Sequence, residues 1–413
     1  MKQTIHQTKI QQERVLIVAV HTKEWHDQLF DTLLLEMEEL TKTAGGLVVA
    51  TMIQNLPSVD RKTLIGKGKL EEVKAFVEGH DIDTVITLND LKPIVNRNLE
   101  ETLDVKVIDR IQLILDIFAL RAQSSAGKLQ VELAQYEYLL PRIIGKGKSL
   151  SRLGAGIGTR GPGETKLESD RRHIRERIHR IKEDLKELQS HRQRTRQRRN
   201  ASTQYQLGLI GYTNAGKSTL LTQLTGDETY VQDQLFATLD PLTRHFDIHG
   251  YDNFTITDTV GFIEDLPTEL IHAFESTLEE IKDVDMLIHV VDGSSSSQNI
   301  HETTVMNLVN DLDLNGIPML TVYNKQDLIT QQFEASLIPN IQISAYNKED
   351  IHQLKERIWQ MCLDISEPYT VMLSPEESYR IHEYQSNTLV TSVEFDDEKN
   401  IYRIIGYKKQ REE

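Results

Sequence analysis

Between residues 14 and 110, short apolar runs alternate with longer stretches whose apolar residues recur every three or four positions. The runs 15–20, 47–51, 84–88 and 105–108 are rich in Val, Ile and Thr and have the length of buried strands. Stretches beginning near Asp27, Lys69 and Leu91 read as the helices between them. This alternation predicts a small parallel α/β domain over residues 13–110. The period then changes. Ala126, Leu129, Leu133, Tyr136 and Leu140 recur at spacings of 3 and 4, and Leu167, Ile174, Ile178, Ile181, Leu185 and Leu188 continue a seven-residue repeat. Two such helices predict an antiparallel hairpin arm over residues 111–200. Its second helix would be about 54 Å long at 1.5 Å per residue. The connector, residues 142–165, is glycine-rich and basic and has too little apolar side chain to form a core. Apolar runs ending in polar or glycine loops resume over residues 205–365. A βαββ-like pattern occupies residues 368–413, with strands at 369–373, 389–395 and 401–407 and a helix at 376–385. The predicted class is α/β, closing in a small α+β unit.

The chemistry is concentrated in the loops of the 205–365 segment. The strand-like run 206–210 leads into Gly211-Tyr212-Thr213-Asn214-Ala215-Gly216-Lys217-Ser218, and Thr219 continues into an amphipathic helix. Strand, glycine loop and helix in that order are what a phosphate-binding loop requires. The loop N–H groups and the helix N-terminus favour phosphate oxygens. Lys217 would reach the β- and γ-phosphates, and the Ser218 hydroxyl would coordinate Mg²⁺. Downstream, a strand ends in Asp258-Thr259-Val260-Gly261-Phe262. Asp258 is placed to hold the metal through a water, and the Gly261 N–H can meet the γ-phosphate. Between these motifs, Phe236-Ala237-Thr238 reads as a first switch in which Thr238 closes on Mg²⁺ when GTP is bound. Leu266-Pro267 and the stretch from Thr268 to Ile281 read as a second switch.

Base recognition is legible further on. Asn324-Lys325-Gln326-Asp327 follows an apolar strand, and Ser344-Ala345 follows another. The Asp327 carboxylate suits the N1–H and N2–H₂ donors of guanine, a pair adenine lacks. Lys325 would lay its stem over the base, Asn324 would tie this loop to the phosphate loop, and the Ser344-Ala345 backbone would meet the guanine carbonyl. Two positions bear on catalysis. Phe262 stands where Ras-type enzymes carry a water-orienting Gln, which predicts slow intrinsic hydrolysis. Asn214 is the kind of residue that supports K⁺ in potassium-stimulated GTPases; stabilising the loop alone is an equal alternative.

Charge changes the picture once it is located. The chain carries a net −16, yet residues 142–199 hold 18 Lys and Arg against 7 Asp and Glu. That local +11 on an acidic body points to a polyanion. Lys146, Lys148, Arg152 and Arg160 of the connector, with Arg171 and Arg172, are the candidate RNA contacts. Arg192, Arg194, Arg196, Arg198 and Arg199 add a further cationic face. Ile65-Gly66-Lys67-Gly68-Lys69 could cradle a phosphate but lacks a following Ser or Thr, so a basic surface loop is the better reading. A single cysteine, Cys362, suits a reducing compartment. Residues 1–12 lack an apolar signal core, and no run approaches the ~20 apolar residues of a membrane helix. A cytoplasmic protein, monomeric when free, is expected.

Residues 205–365 resemble the GTP-binding domain of translation-factor-type GTPases. Nearly the whole chain up to about Ile365 resembles HflX, the bacterial ribosome-associated GTPase family. The resemblance is carried by Arg160-Gly161-Pro162-Gly163-Glu164-Thr165-Lys166-Leu167-Glu168 with Asp170-Arg171-Arg172, by 211–218, and by 258–262. It implies GTP and GDP as ligands and the large ribosomal subunit and intact ribosome as partners. The tip of the arm would reach toward the peptidyl-transferase centre, and the activity would be the splitting of stalled ribosomes under stress. An assembly GTPase acting on immature large subunits and a signalling switch with a protein partner remain alternatives.

Overall fold

The computed structural model describes residues 12–143, 162–200, 203–226, 235–236, 238–264, 281–330 and 333–409. Side chains at 162–167, 189, 191–200 and 252 lie outside that description. The chain divides into two compact units between Asp184 and Leu185.

In the first unit, β1 (Arg14–His21), α1 (Asp27–Thr43), β2 (Leu47–Asn55), α2 (Lys67–Gly79), β3 (Thr84–Thr87), α3 (Pro93–Leu103) and β4 (Lys106–Asp109) follow the predicted alternation. Every strand pair is parallel, in the order β2-β1-β3-β4. Leu16, Val18, Val20, Val85 and Val107 pack with Val73, Val77, Val95 and Leu99 of the helices. At the 65–69 loop, Gly66 precedes α2 and its N–H donates to Gln54 Oε1 at 2.9 Å. One of the donors a phosphate would need there is therefore already engaged.

Next come α4 (Arg110–Arg121) and α5 (Ser125–Ile143). Helix α4 is buried over most of its length, and Arg110 pairs with Glu36 of α1 at 2.7 Å, both side chains 6% exposed. Helix α5 buries Ala126, Gly127, Gln130, Val131, Ala134 and Tyr138. Leu129, Leu133, Tyr136 and Leu140 of the expected seam are only half-buried. The buried face is turned because small residues let α5 lie close against its neighbours in the first unit. Asp109, fully buried, fastens the far end of α5. Its carboxylate caps α4 through the Gln112 N–H at 3.0 Å and accepts from the Leu91 N–H at 3.1 Å. It also accepts from the Tyr138 hydroxyl at 2.6 Å and from Arg142 at 3.1 Å, while the Arg142 guanidinium lies 3.3 Å from the Tyr138 ring centre. Removing one member of a buried charge pair costs about 3–5 kcal/mol. Asp109→Ala is expected to destabilise this unit by about that much, read from chemical denaturation of the variant against the native chain.

Helix α6 (Pro162–Asn200) is 39 residues long, as its heptads predict. Ile174 and Ile178 are half-buried and Ile181 is fully buried, with exposed residues between them. Arg177 makes a two-pronged ion pair with Glu132 at 2.8 Å, and Lys182 meets Glu137 at 2.8 Å. These two ion pairs tie α6 to α5. Arg172 is 70% exposed and 3.8 Å from Glu176. Arg171 Nε is buried without a partner among the described residues. Lys146, Lys148, Arg152 and Arg160 lie outside the described residues, as do the side chains of Arg192 to Arg199.

The second unit is built on β5 (Tyr205–Gly211), α7 (Lys217–Thr225), β6 (Leu242–Ile248), β7 (Tyr251–Asp258), β8 (Met286–Asp292), α8 (Gln298–Asp311), β9 (Met319–Asn324), β10 (Asn340–Gln342) and α9 (Lys348–Asp364). The sheet order is β10-β9-β8-β5-β7-β6, parallel throughout except for the β6–β7 hairpin. That hairpin turns at His249-Gly250, whose φ values of 56° and 79° suit a tight two-residue loop. Leu207, Leu209, Ile256, Ile288, Val290 and Val322 form the core with Leu220 and Leu224 of α7 and Leu354 and Ile358 of α9. Cys362 is buried there, and burial pushes its thiol pKa up, which disfavours the reactive thiolate.

The last segment has β11 (Ser366–Leu373), α10 (Arg380–Asn387), β12 (Leu389–Asp396) and β13 (Ile401–Lys409) in an antiparallel sheet ordered β11-β13-β12. It docks through specific contacts. The Tyr251 hydroxyl donates to Val390 O at 2.7 Å, Asn253 Nδ2 to Ser386 O at 2.8 Å, and Lys409 pairs with Asp285 at 2.8 Å. Among the described residues, no helix is long and apolar enough to cross a membrane.

Candidate functional site

The parallel strands β5, β7, β9 and β10 end on one side of the sheet, where side chains no longer need to fill the core and loops can gather around a ligand. A cavity of about 310 Å³ opens there. It is lined by the phosphate-loop candidates Thr213, Asn214, Gly216, Lys217, Ser218 and Thr219 and by Phe236, Thr238 and Gly261 of the switch loops. Asn324, Lys325, Asp327, Ser344 and Ala345 line its far end. Gly211, Tyr212, Ala215, Asp258 and Phe262 stand behind this lining, and Ala237 lies outside the described residues. So does most of the expected second switch, 265–280.

The loop from β5 into α7 is held open by its own backbone. Gly216 has φ +96°, and a Cβ there would lie 2.3 Å from Asn324 Nδ2, so neither conformation nor space admits a side chain. Asn214 also takes a left-handed conformation, φ 59°, and points toward solvent at the cavity rim. Lys217 donates to Gly211 O at 2.9 Å and Tyr212 O at 2.8 Å. Two of its three ammonium donors are thus used to aim the group. Burial lowers its pKa to about 8.

Ser218 Oγ lies 2.6 Å from Asp258 Oδ2 and 2.9 Å from Thr238 Oγ1, and Thr238 Oγ1 donates to the same carboxylate oxygen at 2.9 Å. Two hydroxyls and a carboxylate from α7, the first switch and β7 therefore meet at one point. Asp258 is fully buried, and burial raises its pKa. Its other oxygen, Oδ1, is buried with no partner among the described residues. An unsatisfied buried carboxylate oxygen beside two hydroxyls is the donor set of a hard divalent cation, so these residues fit Mg²⁺.

The base end is equally connected. Asn324 Nδ2 donates to Ala215 O at 3.0 Å, and its Oδ1 accepts from the Ala345 N–H at 3.0 Å, bracing both loops at once. Lys325, with φ 63°, is tied to Asp292 at 2.7 Å. Asp327 sits in the short turn Gln326–Leu328 with its carboxylate exposed at the cavity. The N–H groups of Ser344 and Ala345 are already engaged, with Asp350 Oδ2 at 2.7 Å and Asn324 Oδ1 at 3.0 Å. Tyr346, the next residue, also lines the cavity and was not singled out by sequence.

Sequence reasoning missed a latch behind the phosphate loop. The Tyr212 ring stacks on His301 of α8 at 3.9 Å, and its hydroxyl accepts from the Glu264 N–H at 2.8 Å. The Thr304 hydroxyl donates to the Glu264 carboxylate. The loop after Gly261 is thereby held to both the phosphate loop and α8. His289 of β8 lies inside the same sheet, where burial pushes its pKa down to about 3 and keeps it neutral. No local spacing signals either feature.

A six-stranded sheet with a glycine loop opening α7 and an Asn-Lys-x-Asp turn at the opposite end of one cavity defines the P-loop GTPase class, and the protein is a GTP-hydrolysing enzyme. Residues 31–119 match the family description "GTP-binding GTPase N-terminal", residues 121–199 "GTP-binding GTPase Middle Region" and residues 206–325 "50S ribosome-binding GTPase". GTPase HflX of Alkalihalophilus pseudofirmus is 46% identical over 396 residues, covering 96% of this chain and 93% of its own. GTPase HflX of Escherichia coli K12 is 38% identical over 349 residues, covering 83% of this chain and 82% of its own. A GTP-binding protein from the archaeon Sulfolobus solfataricus, solved in complex with GDP, is 26% identical with a TM-score of 0.46 and covers 84% of this chain and 98% of that one. The chain belongs to the HflX GTPase family.

Proposed function

We propose that this GTPase binds the large ribosomal subunit and the intact ribosome in its GTP state, and dissociates or rescues stalled ribosomes. Ribosome-stimulated hydrolysis then releases it. The observation that carries the nucleotide part is the meeting of Ser218, Thr238 and Asp258 beside Lys217. Ser218 and Thr238, with Asp258 through a water, would hold Mg²⁺, which when bound offsets the negative charge of the transferring phosphoryl group. Lys217 holds the β- and γ-phosphates. Asp327 reads the guanine edge and Lys325 supports the base. Water attacks the γ-phosphorus, the bond to the β–γ bridging oxygen breaks, and GDP leaves with that electron pair. Thr238 and the Gly261 loop relax once the γ-phosphate is gone.

The ribosomal part rests on charge and kinship. A +11 segment on a −16 chain suits RNA, and residues 206–325 match a description that names 50S binding. Arg172 offers an exposed guanidinium, and Arg171 a buried Nε with no partner among the described residues. If RNA phosphates dominate, affinity for purified large subunits should fall steeply with added salt, linearly on logarithmic axes. Salt-insensitive, ribonuclease-resistant binding would instead mark a protein partner.

A further inference from the structure

We propose that the Thr213 hydroxyl is a catalytic group, meeting the γ-phosphoryl group in the transition state at a site that lacks a water-orienting Gln. The inference rests on the reading of this cavity as the GTP site. Phe262 occupies the position of that Gln, yet its ring is 5% exposed and does not line the cavity. Its backbone is pinned on both sides. The Phe262 N–H donates to Gly211 O at 3.1 Å, and its carbonyl accepts the Thr213 N–H at 2.8 Å.

That second bond has a consequence for Thr213. Its backbone N–H is already spent, so the donor it can offer a substrate is its side chain. Thr213 lines the cavity and is 7% exposed, and its Oγ1 is buried with no hydrogen-bond partner among the described residues. A buried hydroxyl left unpaired is unfavourable, and a polar ligand completes it. Its position is fixed from the other side. A Cβ placed on Gly261 would lie 2.8 Å from Thr213 Cγ2 and 2.9 Å from Lys217 Nζ. Thr213, the Lys217 ammonium and the Gly261 backbone therefore surround one small volume, where the terminal phosphate belongs.

Among the described residues, those lining that end are hydroxyls, amides, glycines, Phe236 and Lys217, with no carboxylate or imidazole among them. Thr213 acts accordingly as a neutral donor and not as a base. As the water oxygen bonds to phosphorus and the bridging bond breaks, the water proton passes to a γ-phosphoryl oxygen. The Thr213 hydroxyl donates to a second such oxygen as charge builds on it.

The test compares Thr213→Val, which removes the hydroxyl but keeps the methyl against Gly261, with Thr213→Ser, which keeps the hydroxyl. Steady-state GTP turnover is measured alongside GDP affinity by fluorescent-nucleotide titration. Thr213→Val should lower kcat roughly tenfold or more while KM and GDP affinity stay within about twofold, and Thr213→Ser should recover most of the rate. Thr213→Ala serves in the same comparison should the valine variant fold poorly. Unchanged kcat in the hydroxyl-free variants, or an equal loss of GDP affinity, overturns the proposal. Absence of GTP turnover by the native chain would instead overturn the reading of the cavity itself.

Discussion

Asp327→Asn turns the preference from guanine toward xanthine nucleotides. The carboxylate presents two acceptors to the N1–H and N2–H₂ donors of guanine, whereas an amide presents one acceptor and one donor. Xanthine carries a carbonyl where guanine has its amino group, so the amide pairs with it and leaves no donor facing a donor. A site built for a hydrogen-bonded partner discriminates against the mismatched one by on the order of 10⁴. The surrounding turn is braced to hold that carboxylate against the base. Lys325 is tied to Asp292, Asn324 bridges two loops, and Asp327 is exposed at the cavity. Competition of GTP and XTP against a fluorescent nucleotide reads the switch. A variant with native GTP selectivity would leave Asp327 without its role.

Lys217→Ala should remove productive GTP binding and lower turnover by roughly 10³-fold, the scale expected for a preorganised donor at developing charge. Lys217 is buried and aimed by Gly211 O and Tyr212 O, and among the described residues no second lysine lines the phosphate end of the cavity. Folding should survive, because alanine removes a buried ammonium whose burial is itself unfavourable. Phosphate release over many turnovers, with a thermal melt as the folding control, measures the effect. Sustained turnover in the folded variant contradicts the assignment.

Much of this site could be read along the chain because its parts are local. Each motif follows an apolar strand, and parallel strands deliver their C-terminal loops to one edge, so Gly216, Asp258, Asn324 and Ser344 converge once the order β10-β9-β8-β5-β7 is formed. What sequence left unread depends on partners distant along the chain. The buried face of α5 is set by Ala126, Gly127 and Ala134, small residues that a search for leucine heptads passes over. Asp109 joins residues 91, 112, 138 and 142, and no spacing rule links them. Tyr212 reads as a loop residue until His301 and Glu264 arrive from elsewhere in the fold.

The central claim is that the state of the nucleotide at Thr238 and Gly261 governs engagement of the ribosome. Sedimenting the purified protein with intact ribosomes, once with a non-hydrolysable GTP analogue and once with GDP, tests it most directly. The account predicts that the analogue-loaded protein pellets with ribosomes or their separated large subunits while the GDP form stays in the supernatant. Equal recovery of both forms with the particles would contradict it.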